Sequence, residues 1–162
     1  MLNNMYTIIP KNLLATAYDI FYDNKLVAHI KKPAVSIKDN CSVLIGGKQF
    51  DFRRQGVVSG DWILETLDHI TVASAVKPSV FNDTFVIHFD NNELTLRAKF
   101  LSLKNECILF DKDRRIGNIL QANFFSRKLH FTLNKEIPLE IIVFIVCIAL
   151  VVIDRKSAST ST

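Results

Sequence analysis

Glycine and proline are scarce in this chain of 162 residues, which contains 5 and 4 of them. That scarcity excludes collagen-like repeats, proline-rich spacers and a low-complexity tail, and leaves few points where regular structure is forced to stop. Cysteine is limited to Cys41, Cys107 and Cys147. So wide a scatter forms neither a disulfide framework nor a Cys-x-x-Cys metal clip, and it suits reduced thiols in a cytosolic setting. No basic stretch followed by a long apolar run occupies residues 1–9, so no secretory signal is expected.

Charge of one sign is also lacking. Lys plus Arg total 20 against 16 Asp plus Glu, a net +4. That excess permits attraction to an anionic surface but falls short of the dense basic stripe of a nucleic-acid binder, so no nucleic-acid partner is expected. Catalytic patterns are missing as well. The chain has no Gly-x-Ser-x-Gly elbow and no dinucleotide fingerprint, and Gly46-Gly47-Lys48 lacks the earlier glycine and following Ser or Thr of a phosphate loop. Cys41 and Cys107 have no histidine at a recognisable catalytic spacing, and Cys147 lies within an apolar run where its thiolate would be suppressed. His29, His88 and His130 show no zinc-binding spacing and are expected on solvated strand faces. Asp111-Lys112-Asp113 opens like a calcium loop, yet its sixth position is Ile116 and its twelfth Ala122, where the loop needs Gly and Glu. Asp90-Asn91-Asn92-Glu93 clusters oxygen ligands of the residue types that a tight turn also favours. No enzyme activity, metal or cofactor is expected.

What the sequence does contain is alternation. In Leu94-Thr95-Leu96-Arg97-Ala98-Lys99-Phe100, in Gln49-Phe50-Asp51-Phe52-Arg53 and in Lys128-Leu129-His130-Phe131-Thr132-Leu133, apolar and polar residues take turns. Such a period of two places one set in a core and the other in solvent. Turn-forming residues separate the segments: Asp23-Asn24-Lys25, Gly46-Gly47, Asp90-Asn91-Asn92 and Asp111-Lys112-Asp113. About twelve strands are expected, centred near Met5, Tyr18, Val27, Val43, Phe50, Ile63, Val72, Phe85, Leu96, Ile108, Ile116 and Phe131.

Residues 136–156 break the pattern. Nine of the thirteen residues 141–153 are Ile or Val, a strand-like composition. As a strand, however, the run would extend about 43 Å, whereas as a helix it measures about 20 Å. Pro138 and Glu140 suit a helix N-terminus, and Arg155 with Lys156 suits a C-terminus. This run more than accounts for the positive mean hydropathy of +0.20, since the rest of the chain averages slightly below zero. A helix apolar on every face needs apolar surroundings, either a protein core or a bilayer. Thirteen residues are short for a bilayer that takes about 20. Twelve strands also offer more inward apolar residues than a flat sheet could cover, and closing the sheet around the helix satisfies both. The expected architecture is therefore mainly β, a closed antiparallel barrel of about twelve strands with a hydrophobic C-terminal helix threading its centre. Ile141, Phe144, Ile145, Ile148 and Val152 are the residues expected along that helix, or along a transmembrane segment in the alternative reading. One domain is expected over residues 1–156, with strands in 1–135, the helix in 136–156 and a disordered tail over 157–162.

Particular segments carry a family likeness: Trp62-Ile63-Leu64-Glu65, Ala75-Val76-Lys77-Pro78-Ser79, Phe85-Val86-Ile87, Ile108-Leu109-Phe110-Asp111, Arg115-Ile116-Gly117, and Ile137-Pro138-Leu139-Glu140 ahead of Phe144 and Asp154-Arg155. With them the chain resembles the tubby C-terminal-like superfamily, which includes tubby proteins, phospholipid scramblases and LURP-one-related proteins, and it is most like small bacterial members. The resemblance implies a twelve-stranded barrel around a hydrophobic helix and roles in phosphoinositide binding, lipid movement or signalling at membranes. In tubby the lipid site is a cluster of basic side chains on the barrel. The corresponding candidates here are the pairs Lys31-Lys32, Arg53-Arg54, Arg114-Arg115 and Arg127-Lys128, the last beside Phe124-Phe125. The acidic calcium-binding stretch of scramblases has no equivalent, which argues against calcium-triggered scrambling.

The expected function is a non-enzymatic, membrane-associated binding module that recognises anionic phospholipid headgroups or a membrane partner through basic surface residues. It would act as a monomer in the cytoplasm or at the cytoplasmic face of a membrane. The alternative is a tail-anchored membrane protein, or a scramblase-like lipid transporter, that uses the apolar helix as its transmembrane segment.

Overall fold

Each alternating segment becomes one stave of a barrel, because a strand that buries one side and wets the other needs a curved wall with a core inside it. A computed structural model describes residues 3–33, 40–56, 60–99, 105–123 and 125–159. It contains β1 (Asn4–Pro10), β2 (Ala17–Tyr22), β3 (Lys25–Lys31), β4 (Cys41–Ile45), β5 (Lys48–Gln55), β6 (Asp61–Thr66), β7 (Thr71–Val76), β8 (Thr84–Phe89), β9 (Asn92–Lys99), β10 (Glu106–Asp111), β11 (Arg114–Gln121) and β12 (Leu129–Leu133), followed by α1 (Leu139–Ser159). All twelve expected strand centres fall inside these strands. Phe100, expected to end β9, lies outside the described residues.

The strands form a simple meander in which each pairs antiparallel with its chain neighbours, and β1 pairs with β12 to close the ring. In that closing seam Asn4 faces Leu133 and Ile8 faces Leu129. Closure leaves no unpaired edge. The expected turns are present, with positive φ at Asp23 and Asn24, at Gly46 and Gly47, at Asp90 and at Lys112. Positive φ at both central residues gives the β2–β3 and β4–β5 hairpins a backbone twist that matches their strands. Register shifts in β2–β3, β6–β7 and β10–β11 each admit one extra residue, which increases the local coil of the wall.

A ring of twelve staves is too wide for its own side chains to fill and too narrow for an aqueous channel. Helix α1 fills it. Every residue from Ile141 to Val152 is buried, whichever way it points. Ile141, Phe144, Ile145, Ile148 and Val152 all lie within this buried stretch. The helix approaches β4, β7 and β9, and β7 makes room with Ala73 and Ala75. On the neighbouring strands, Phe144 packs edge-on against Phe52 of β5 at 5.7 Å, and Phe52 stacks parallel to Trp62 of β6 at 4.8 Å. The Pro138 carbonyl accepts the first helical hydrogen bond, from the Ile142 amide at 3.1 Å, so the proline stands at the N-cap and loses no donor that the helix needs.

Two expectations are corrected. Among the described residues no helix is long and apolar enough to cross a membrane. This counts against the anchored alternative, since the apolar run is already spent on the barrel core. The helix also continues through Ser159, into the segment expected to be a disordered tail. There the Ser157 hydroxyl donates to the Ile153 carbonyl and the Ser159 hydroxyl to that of Lys156.

Candidate functional site

A meander gives a barrel two unlike ends. At the turn end lie the hairpin turns β2–β3, β4–β5, β6–β7, β8–β9 and β10–β11 and the entry to α1. At the loop end lie the longer connections β1–β2, β3–β4, β5–β6, β7–β8, β9–β10 and β11–β12, with the last turn of α1 emerging among them.

The candidate basic pairs separate along this axis. Lys31-Lys32 closes β3, Arg53-Arg54 comes late in β5, and Arg127-Lys128 immediately precedes β12, so all three stand at the loop end. They span the arc from β12 through β1 to β5, and Lys11 in the β1–β2 connection lies within it. Arg114-Arg115 begins β11 at the opposite end and cannot belong to the same surface. Of the four candidate pairs, three therefore share one end of the barrel and Arg114-Arg115 does not.

Net charge follows the same division. With each connection taken together with two flanking strand residues, and the helix from Asp154 onward, the described loop end has ten Lys and Arg against four carboxylates. By the same measure the turn end has six against nine. A field of this shape turns one end of the molecule toward negative charge.

Not every candidate cation is equally available. Lys32 Nζ is ion-paired with Asp154 at the helix exit and lies 5.4 Å from the centre of the Tyr18 ring. Arg53 holds Glu65 with two hydrogen bonds, Nε to Oε1 at 2.7 Å and Nη2 to Oε2 at 3.2 Å, and His69 Nδ1 lies 3.3 Å from the same carboxylate. The Arg53 hydrogen bond is the main reason the Glu65 carboxyl lies below its ordinary range. Arg115 pairs with Glu106 at 3.4 Å. Arg127 Nη1 donates to the Leu14 carbonyl at 3.4 Å, joining the β11–β12 and β1–β2 connections.

Two recesses open along the basic arc. One, of about 410 Å³, is bordered by Lys31 and Arg53 together with Asp51 and Ser42. The other, of about 440 Å³, lies beside the helix exit between Tyr18, Arg127, Phe125 and Asp154. Its floor is fixed by Gln121, whose amide donates to the Ser126 carbonyl at 2.6 Å and whose oxygen accepts from Asn105 at 2.8 Å. Burial, then the nearby Asp154 charge, pushes the Tyr18 phenol up to about 12, against the opposing influence of Arg127. Tyr18 is therefore a neutral hydroxyl beside a permanent cation, a combination that suits phosphate or carboxylate oxygens.

The remaining candidates are structural. Asp111 accepts from Lys135 Nζ at 2.6 Å, in a hairpin turn. The histidines expected on solvated faces are mostly engaged: His29 lies 2.7 Å from Asp19 and His88 3.6 Å from Glu93. Cys41, Cys107 and Cys147 are buried and form no disulfide, and burial pushes Cys107 up to about 12. Among the described residues no group of three potential ligands could hold a metal ion. Phe124, paired with Phe125 in the sequence argument, lies outside the described residues. The Arg53–Glu65–His69 cluster and the recess at the helix exit had no sequence signal, because both depend on strand register and on where the helix ends.

No protein-family model matches the chain, and no curated protein matches it. Its fold matches that of a solved protein from Arabidopsis thaliana, with a TM-score of 0.63 at 14% identity over 93% of this chain and 91% of that one. Likeness at that identity shows a shared fold.

Proposed function

We propose that this protein is a non-enzymatic, membrane-associated module that binds anionic phospholipid headgroups through its loop end, as a monomer at the cytoplasmic face of a membrane. The observation that carries this reading is the gathering of Lys31-Lys32, Arg54 and Arg127-Lys128 on one rim of a barrel whose other end is rich in carboxylates, with Arg53 beside them but committed to Glu65. Attraction between such a rim and an anionic leaflet amounts to about 1 kcal/mol for each cation near the surface. The recesses beside Arg127 and between Lys31 and Arg53 are places where a headgroup could sit. Membership of the tubby C-terminal-like superfamily is part of the same proposal, supported by the closed twelve-strand barrel and its buried terminal helix.

Vesicle flotation tests the reading. The protein should float with vesicles of phosphatidylcholine and phosphatidylserine and remain behind with phosphatidylcholine alone. Binding should weaken as salt screens the rim. The double reversal Arg127→Glu, Lys128→Glu should lower affinity about tenfold or more. Equal binding to both vesicle types, unaffected by salt, would refute it.

A further inference from the structure

Among the described residues, five large hydrophobic side chains stand apart in exposure: Leu13 at 99%, Leu14 at 80%, Val80 at 82%, Phe81 at 95% and Phe125 at 93%, whereas the next, Ile70, reaches 63%. All five occupy the β1–β2, β7–β8 and β11–β12 connections of the loop end. Scattered apolar residues need no explanation, but five of the most exposed ones on a single rim do.

Their presentation is built into the backbone. Asn12 Oδ1 accepts from the Thr16 amide at 3.0 Å and its Nδ2 donates to the Thr16 hydroxyl at 2.8 Å. Ala15, at φ 51°, turns inward and is buried, which leaves Leu13 and Leu14 outside. The Phe81 amide donates to Ser79 Oγ at 3.2 Å, and the Phe125 amide to Asn123 Oδ1 at 3.1 Å. Each tip is thus held in a short side-chain-capped turn that orders it in advance. The β1–β2 and β7–β8 connections are six strands apart in a ring of twelve, on opposite sides of the mouth.

We infer that the barrel docks end-on, inserting the tips at Leu13-Leu14, Val80-Phe81 and Phe125 into the interfacial layer of an anionic bilayer with its axis along the membrane normal. This rests on the reading above and adds depth and orientation to it. Tips on opposite sides of the mouth define a plane, and the cations behind them, Lys11 and Arg127, then lie at headgroup level, while Lys77 is held by Asp83 at 2.7 Å. A second copy of the chain fits this surface poorly, since apposed loop ends would bring like charge against like.

The three native thiols are buried, so single cysteines at Phe81→Cys or Phe125→Cys can be labelled selectively with an environment-sensitive fluorophore. On vesicles of phosphatidylcholine and phosphatidylserine in equal parts, both labels should shift to the blue, and a label at Asp68→Cys at the turn end should not. Replacing Leu13, Leu14, Phe81 and Phe125 with serine should lower vesicle affinity about tenfold or more while leaving the thermal midpoint of the free protein nearly unchanged. Full binding by that serine variant, with no label shift, would overturn insertion and leave headgroup attraction standing. Failure of the wild-type protein to bind at low salt would overturn both. Dimers in sedimentation that the serine variant loses would assign the tips to a second copy and would likewise overturn insertion.

Discussion

The two ends of the barrel are made from the same staves and differ in what joins them. At the turn end four of the five hairpin connections have two residues and the fifth, β6–β7, has four; positive φ at Asp23, Asn24, Gly46 and Gly47 fits the β2–β3 and β4–β5 turns to the twist of their strands. Carboxylates predominate there, and the chain turns inward to begin α1. At the loop end the connections are longer, and among the described residues cations outnumber carboxylates and the five most exposed large apolar side chains are found. A short turn has no residues to spare beyond those that set its geometry, while a long connection is open to other uses once its ends are fixed. Tight hairpin geometry and exposed cationic and apolar side chains thus fall at opposite ends of one scaffold.

The largest effect is expected from removing the helix that both ends share. A chain ending at Lys135 should show no cooperative unfolding transition, because twelve consecutive buried residues of α1 contribute about 1.5–3 kcal/mol each, more than the 5–15 kcal/mol stability of a typical domain. A soluble, monomeric, cooperatively folded product would show that the wall stands without its filling. Next in size, Gly117→Ala should strike the turn end alone. An added Cβ would collide with the Thr132 carbonyl oxygen and lie 2.8 Å from Leu133 Cδ2, which should cost about 1–3 kcal/mol in denaturant unfolding and leave vesicle affinity unchanged. The reversal Arg114→Glu, Arg115→Glu sharpens the contrast from the other side. Located away from the rim, it should change vesicle affinity less than about twofold, against about tenfold for the same reversal at Arg127 and Lys128.

The smallest expected effect is one of pH. Glu65 is held below its ordinary pKa of 4.5, chiefly by its Arg53 hydrogen bond. A carboxyl depressed in the folded state adds stability that is fully present above its unfolded pKa and is lost as pH falls through the folded one. Glu65→Gln should therefore flatten the loss of stability below about pH 4.5, by under about 1 kcal/mol given the exposure of Arg53. An unaltered slope in acid unfolding would show that the pair is silent.

The wall was legible because alternation is a local property, readable at Phe50-Asp51-Phe52 or Leu94-Thr95-Leu96 without knowing any partner. The helix was legible through length, since no strand runs for thirteen apolar residues. Closure could be argued from the apolar surface that needed covering, but the seam that pairs Asn4 with Leu133 could not be read from either segment alone. The site was legible only in composition. Basic pairs are visible in sequence, but which end each occupies depends on strand direction, and Arg114-Arg115 looks no different from Arg53-Arg54 until the meander is traced. Glu65 falls at a position that alternation assigns to solvent, and only the register shift after Leu64, with Arg53 and His69 around it, explains its burial.

The closing seam also bears on how the chain acquires its structure. Because β1 must wait for β12, synthesis delivers the first stave long before its second neighbour, and the filling that every stave needs comes after both. A nascent meander without α1 would display its whole apolar lining and two open edges, the condition in which chains associate with one another. Long-range pairing of this kind is also slow to nucleate. The ring should therefore assemble in one late step, after the segment through α1 has left the ribosome, so its vulnerable interval is set by the rate of translation.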